Sequence, residues 1–406
     1  MRLTRNLVLG TVLTAAALLL NGCQPNSPDG PVSTPPPTTG ARVGSFEGRY
    51  VVSFKDEVRN ALPSGDYATE TAAARQYILQ FLALRGIRVD EMTQVYGSTI
   101  VGFAARLSAE AVARLSSSPI IEAVEPDGPV ALIFPKAEGV TTSDVQTVPW
   151  GITAVGGSVN YVGSAVAWVI DTGIDLTHPD LNVNASRGYN AFTDGSPDAA
   201  SLNDLNGHGS HVSGTIAAKN NGFGVVGVAA GAQVIPVKVL NSAGSGSYSG
   251  VIAGVNYVGA NGKKGDVANM SLGGSPYTAL DNAVKNAAAK GIYFSLAAGN
   301  DADKANNHSP ARANGTNIRT VSAHDVNSVF AYFSNYGNPP IEYAAPGVSV
   351  YSTFKDGGYT TYSGTSMAAP HVAGIMLANG AGKVYKKGRV TGDYDSNADY
   401  KASRVP

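Results

Sequence analysis

The chain has 406 residues, more than one ordinary domain needs, so at least two domains are expected. Charged residues make up 15%, below the roughly 25% usual in soluble proteins, and the formal net charge is −1, which excludes the basic excess of a nucleic-acid-binding surface. A hydrophobic fraction of 43% supports a sizeable core, and the single cysteine, Cys23, excludes an intrachain disulfide.

The N-terminus has the pattern of a targeting segment. Arg2 and Arg5 precede an apolar stretch from Leu7 to Leu20, shorter than the about 20 residues a membrane span needs and of the length of a signal core. Residues 1–22 are therefore expected to be a signal peptide. Leu20-Asn21-Gly22-Cys23 resembles the bacterial lipobox, which makes Cys23 a lipidation site and the first residue of an anchored chain. The alternative is an ordinary signal peptide that happens to contain a cysteine. Residues 23–45 are rich in Pro, Ser and Thr and are expected to form an extended linker.

Residues 46–130 have the pattern of a small α+β domain. Arg49–Phe54 is a strand; Ala74, Tyr77, Ile78, Phe81 and Leu82 recur at helical spacing; Thr99–Leu107 is a second strand. Ser108 caps a helix carrying Val112 and Leu115, and Ile120–Glu125 is a final strand. The order β-α-β-α-β suits a ferredoxin-like sandwich. Residues 131–144 are expected to be a loop, and 145–406 a second, larger domain. There the apolar runs Ala165–Ile170, Val234–Leu240, Val267–Met270 and Ile292–Ala297 alternate with helical stretches such as His211–Ala218 and Leu280–Ala289. Strands that are apolar on both faces and separated by helices imply an α/β fold, a parallel sheet covered on both sides, with its site beyond the carboxyl ends of the strands.

Three segments bring chemistry to such positions. Asp171 follows the run ending at Ile170, where a carboxylate can orient an imidazole. His208 lies in Asn206-Gly207-His208-Gly209-Ser210-His211, whose glycines let backbone pass close to a substrate. Ser366 lies in Gly364-Thr365-Ser366-Met367-Ala368, at a helix start whose N–H groups can hold a developing oxyanion. Taken singly these are a turn former, a turn histidine and an N-cap. Together they supply the nucleophile, base and orienting acid of acyl transfer through serine.

In these contexts, and in the order Asp, His, Ser, the residues resemble the subtilase family of serine proteases from about Gln146 to Gly374. The resemblance implies a subtilisin-like fold and an endopeptidase, a secreted hydrolase acting on polypeptides. It implies that Asn300 and the Ser366 N–H form the oxyanion hole. Substrate would add as a β-strand along Gly244, Ser245, Gly246 and Tyr248 and along Ser271, Leu272 and Gly273, giving broad specificity. Ala297, Ala298 and Gly299 would wall a primary pocket roomy enough for a large apolar side chain. His211 would be a structural neighbour of the base. Residues 46–130 resemble the family's inhibitor pro-domain, a partner that assists folding and then blocks the cleft. Val145–Gly151 resembles the start of mature subtilisins, which implies self-processing near residue 144; that cut either releases the enzyme from an anchor at Cys23 or leaves the pro-domain bound as a tether.

The loop Ala218–Gly227 resembles the strong calcium loop of subtilisins. By that match Ca2+ would be held by the carbonyls of Lys219, Phe223 and Val225, the side chains of Asn221 and Asp180, and Gln146. The alternative is a metal-free Asn-Gly turn. The chain departs from the family at Ser210, where Thr is usual, and after residue 382, where a polar tail lacks the periodicity of the usual terminal helix. A catalytically inactive peptide-binding relative on the cell surface is the alternative to an enzyme; it would need a missing site residue, and none is missing.

Overall fold

The computed structural model describes residues 45–132 and 138–406. The expected signal peptide, Cys23 and nearly all of the linker lie outside the described residues. Among the described residues no helix is long and apolar enough to cross a membrane.

The first part is built from β1 (Arg49–Phe54), α1 (Tyr67–Leu84), β2 (Glu91–Tyr96), β3 (Gly102–Arg106), α2 (Ala109–Ser116) and β4 (Ile121–Pro126). Asp66 and Ser108 cap the two helices, accepting from Thr69 N and Ala111 N. The strands form one sheet in the order β2-β3-β1-β4, the ferredoxin-like arrangement. The strand β2 is not among the expected elements, because its exposed half alternates polar residues. Alternation along β1 divides the sheet between two cores. Val52 and Phe54 face the domain's own helices with Ile78, Phe81 and Leu115. Val51, with Tyr96 and Ala104, is buried in a core shared with the larger domain.

The expected loop over 131–144 is partly strand. After β5 (Pro129–Ala131) comes β6 (Glu138–Thr141). In the larger part the principal elements are β7 (Ala167–Asp171), α3 (His208–Ala217), β8 (Gln233–Lys238), β9 (Ser245–Ser247), α4 (Tyr248–Asn261), β10 (Val267–Met270), α5 (Thr278–Ala289), β11 (Tyr293–Ala297), β12 (Ile318–His324), β13 (Ile341–Pro346), β14 (Val350–Thr353), β15 (Tyr359–Tyr362), α6 (Thr365–Asn379), β16 (Tyr385–Arg389) and β17 (Tyr400–Ser403).

The main sheet runs β8-β7-β10-β11-β12-β13-β17-β16, parallel except for the last pair. Every residue of β7 and β10 is buried, as expected of strands covered on both faces. The polar tail supplies what the sequence left open. It forms the hairpin β16–β17, whose second strand joins the sheet at Ala344 and buries Ala402. Arg404 then donates to the carbonyls of Gly156 and Gly157, at 2.7 and 3.1 Å.

Candidate active site

Three adjacent parallel strands, β7, β10 and β11, end at Asp171, Met270 and Ala297. Asp171 closes the first, Ser271 comes directly after the second and Asn300 lies three residues past the third. This is the carboxyl edge where α/β sheets place their chemistry.

Asp171 is fully buried, and its Oδ1 accepts from Thr172 N and lies 2.8 Å from His208 Nδ1. His208 opens α3 rather than preceding it. The turn before it requires Gly207: its φ is +113°, and a Cβ there would stand 2.0 Å from the Phe354 ring.

Asp204 holds this turn together, and sequence reasoning missed it. Its Oδ1 accepts from Thr172 Oγ1, Asn206 N and Gly207 N, and its Oδ2 from Ser210 N and Ser210 Oγ, at 2.7–3.0 Å. One buried carboxylate thus ties the strand end carrying Asp171 to the helix start carrying His208. Its only signal in the sequence is an acidic residue four positions before the histidine. The hydroxyl of Ser210, where the family has Thr, makes one of these bonds. His211 Nε2 donates to Val350 O at 3.0 Å, and burial pushes its pKa down to about 3, so it stays neutral.

Ser366 is the second residue of α6, which packs against α3. Its Oγ donates to Ser271 O at 3.2 Å, and Ser271 Oγ donates to Ser366 O. Asn300 Oδ1 accepts from both Thr365 N and Thr365 Oγ1, at 2.8 Å each, which fixes the amide. Its Nδ2 is then presented beside Gly364. A Cβ on Gly364 would lie 3.2 Å from Asn300 Nδ2 and 3.7 Å from Ser366 N. Both donors therefore border the space that glycine leaves open, where an oxyanion can sit.

Ser271, Leu272, Gly273, Ala297, Ala298, Gly299, Asn300 and Ser366 line one pocket, joined by Asp301, His308 and Ala311, which sequence reasoning did not name. The chain's own β5 runs along its rim. Val130 pairs with Gly246 and Ala131 with Ser245 and with Gly273; Leu132 N donates to Gly244 O at 2.9 Å. Tyr248 meets the same segment one step earlier, its N donating to Gly128 O at 3.1 Å; its buried ring stacks on Tyr277 at 3.9 Å and its hydroxyl donates to Ser275 O. Just before β5, Glu125 accepts from Thr278 N and Ala279 N at the start of α5. Asp127 accepts from Ser249 N and Ser249 Oγ at the start of α4. Both carboxylates satisfy orphan N–H groups at positive helix ends.

The loop after α3 gathers the other predicted residues. Asp180, fully buried, accepts from Asn221 Nδ2 and Val225 N, and burial raises its pKa. Gln146 Nε2 donates to Lys219 O at 3.5 Å and its Oε1 accepts from Gly222 N. Phe223 N donates to Asn221 Oδ1. Among the described residues no ion pair reaches Asp180, and no group of three or more His, Cys, Asp and Glu side chains converges as a metal site.

Comparison with known proteins agrees with this geometry. Residues 163–379 match the subtilase family, and residues 49–132 match peptidase inhibitor I9. The extracellular serine proteinase of Thermus sp. (strain Rt41A) is 38% identical over 90% of this chain and 88% of its own length. Alkaline serine exoprotease A of Vibrio alginolyticus is 38% identical over 80% of this chain, which spans 59% of that protein. A cold-adapted subtilisin-like serine proteinase of known structure superposes with a TM-score of 0.52 at 34% identity, covering 63% of this chain and 97% of its own. With its buried Asp171–His208 pair, a serine opening a helix and an inhibitor domain ahead of them, the chain belongs to the subtilase family of serine endopeptidases.

Proposed function

We propose that Ser366, His208, Asp171 and Asn300 perform acyl transfer on extended polypeptides, and that residues 46–132 hold the enzyme as a self-processing zymogen until that work begins. The observation that carries this reading is β5, seated as a strand between Ser245–Ser247 and Gly273 beside Ser366. Main-chain pairing of this kind carries little sequence information, so specificity is broad.

Ser366 Oγ attacks the carbonyl while His208 Nε2 takes its proton. Asp171 at Nδ1 fixes the tautomer and stabilises the imidazolium. Asn300 Nδ2 and Ser366 N–H receive the oxyanion. His208 returns the proton to the leaving amine, and water reverses the steps to free the acid. Labelling of the purified protein by a fluorophosphonate, lost in Ser366→Ala, tests the assignment. A protein that neither labels nor cleaves casein is the inactive binder instead.

The protein is exported on residues 1–22 and works outside the cell or at its envelope, with Cys23 as lipid anchor before maturation. The Thermus relative's extracellular description supports the first part. Radiolabelled fatty acid incorporated at Cys23 and absent in Cys23→Ser tests the second.

Calcium is the structural cofactor. Gln146, Asp180, Lys219, Asn221, Phe223 and Val225 offer only oxygen ligands, the set a hard cation takes. Asp180 is a buried carboxylate that no ion pair offsets among the described residues, which a bound cation would relieve. The melting temperature of the Ser366→Ala protein should fall on chelation by several degrees, and Asp180→Ala should abolish that difference. An unchanged melting temperature in chelator argues for the metal-free turn.

A further inference from the structure

We propose that Lys238 is a positioning residue of the catalytic centre: its buried ammonium holds the backbone at Asp171 and, through Asp198, the edge along which substrate pairs. The proposal rests on the acyl-transfer reading above and adds a group that the reaction steps do not use.

Lys238 ends β8 directly beside Asp171, its partner in the parallel register with β7. Its side chain is fully buried, and Nζ donates to Thr172 O at 2.6 Å and to Leu240 O at 3.2 Å. The third contact is an ion pair with Asp198 Oδ1 at 2.9 Å, so the ammonium has three acceptors for its three N–H groups. Val239 N and Leu240 N both donate to Asp171 O. The ammonium thus closes the junction where the two strands end and Asp171 enters the site.

Asp198 carries the link outward. It lies in the single helical turn Pro197–Ala200, and its Oδ2 accepts from Ser242 N and Ser242 Oγ at 3.1 Å each. Ser242 O accepts from Asn206 Nδ2, and Asn206 Oδ1 accepts from His208 N. Asn241 Oδ1 accepts from Ala243 N and Ser245 N and keeps this turn closed. Two residues after Ser242, Gly244 begins the edge to which Leu132 N is bonded. Lys238 therefore holds Asp171 directly, and through one carboxylate it reaches both the substrate edge and the turn carrying His208. An apolar pair filling the same space is often as stable as a buried ion pair, or more so. Such a pair could not fix two carbonyls and a carboxylate from three segments at once.

Lys238→Met alone leaves Asp198 as an unpaired buried charge, so the test compares Lys238→Met/Asp198→Asn with Asp198→Asn. In the reference variant an amide oxygen remains for Ser242 N, and Lys238, ionised or not, keeps N–H groups for both carbonyls. Two substrates are used: an activated ester of a single acylated amino acid, too short to reach Gly244–Ser247, and a peptide that fills that edge. Relative to the reference, kcat on the ester should fall about ten- to a hundredfold in the double variant. KM for the peptide should rise at least threefold while KM for the ester holds within twofold. The low-field proton resonance of the His208–Asp171 bond should move upfield. Lys238→Arg, which keeps the charge and displaces the donors, should lower ester kcat at least threefold and serves where the double variant does not fold. Unchanged kcat and peptide KM, whatever the melting temperature, would show that Lys238 only stabilises, and would overturn the proposal while leaving the acyl-transfer reading standing. A parent protein that takes no fluorophosphonate and hydrolyses neither substrate overturns both.

Discussion

Replacing Asp204 by Asn tests whether the catalytic pair is aligned by a single buried carboxylate. The side chain is 1% exposed and accepts five hydrogen bonds, three from backbone N–H groups. An amide oriented to keep the Oδ1 bonds sets its NH2 against Ser210 N–H, so that one backbone donor is orphaned while the Ser210 hydroxyl can turn to accept. An orphaned buried donor costs about 1–3 kcal/mol, and the remaining bonds lose the strength that charge lends them. A stability loss of about 2–3 kcal/mol is expected, small enough to leave the protein folded. The positional effect is larger. Thr172 and Gly207 adjoin Asp171 and His208, and misplacing a catalytic group by about 1 Å can cost on the order of 10²-fold. The rate constant kcat on a peptide substrate should therefore fall ten- to a hundredfold. KM should hold, because none of the five bonds comes from a residue of the pocket or of its rim. Stopped-flow or steady-state assays at several substrate concentrations separate the two, with active-site titration to count folded enzyme. A variant that melts lower but keeps its kcat would show that the clamp only stabilises. One that keeps its melting temperature would show that the hydrogen bonds are worth far less than their burial implies.

Asn300→Ala should leave fold and KM nearly intact and lower kcat by the roughly 10²–10³-fold known for the corresponding donor of subtilisin, a figure taken from that enzyme; a change confined to KM would reassign Asn300 to substrate holding. Glu125→Ala should weaken inhibition of the mature enzyme by residues 45–132 supplied in trans about ten- to a hundredfold, since two charge-assisted bonds to the start of α5 are lost at about 1.5–3 kcal/mol; an unchanged inhibition constant would mean that β5 alone carries the affinity. Burial pushes Glu342 up from 4.5 to about 7, with the nearby Asp399 pushed up to about 6 adding to the effect. The folded state thus holds the Glu342 proton more tightly than the unfolded chain, and the stability it contributes is present below about pH 4.5 and lost as pH rises to about 7. Melting curves of the Ser366→Ala protein should show that decline, flattened in Glu342→Gln; identical slopes would remove Glu342 as its source.

The elements most legible in the sequence are those whose apolar runs have one explanation. Val267–Met270 is a strand with the boundaries expected, and Arg49–Phe54 likewise, because each is too short and too apolar to be anything but strand. Boundaries differ where a polar residue is structural. Asp171 completes its strand instead of coming after it, and His208 begins its helix three residues before the apolar pattern does. The site motifs name the triad and Asn300, and the structure brings Asp171 to His208 and Asn300 to Ser366. Asp204 is illegible because its role lies in five bonds from four residues that only the fold assembles. The motif around Tyr248 points to substrate contact, and its N–H meets Gly128 O just ahead of β5; the stacking of the ring on Tyr277 is what the motif cannot show. The hairpin β16–β17 is hidden for a different reason. Its polar residues alternate without an apolar face, and only the open edge of β13 gives them a partner.

The two carboxylates that tether the inhibitor domain bear on how long the finished enzyme lasts. Glu125 and Asp127 sit on the N-terminal ends of α5 and α4, the helices on either side of β10 in the chain. Parallel strands joined through such helices must close long loops before any pairing is gained, so their assembly is slow. An inhibitor domain that pins both helix ends holds this unit in place while the rest of the sheet collects around it. Once that domain is digested, the same help is absent on any later attempt. An enzyme molecule that opens in its own company then meets neighbours able to cut it before it can close. Its working lifetime is therefore set by the height of the barrier to opening rather than by an equilibrium between folded and unfolded chains. Storage conditions that slow opening, not those that favour refolding, are the ones that will preserve it.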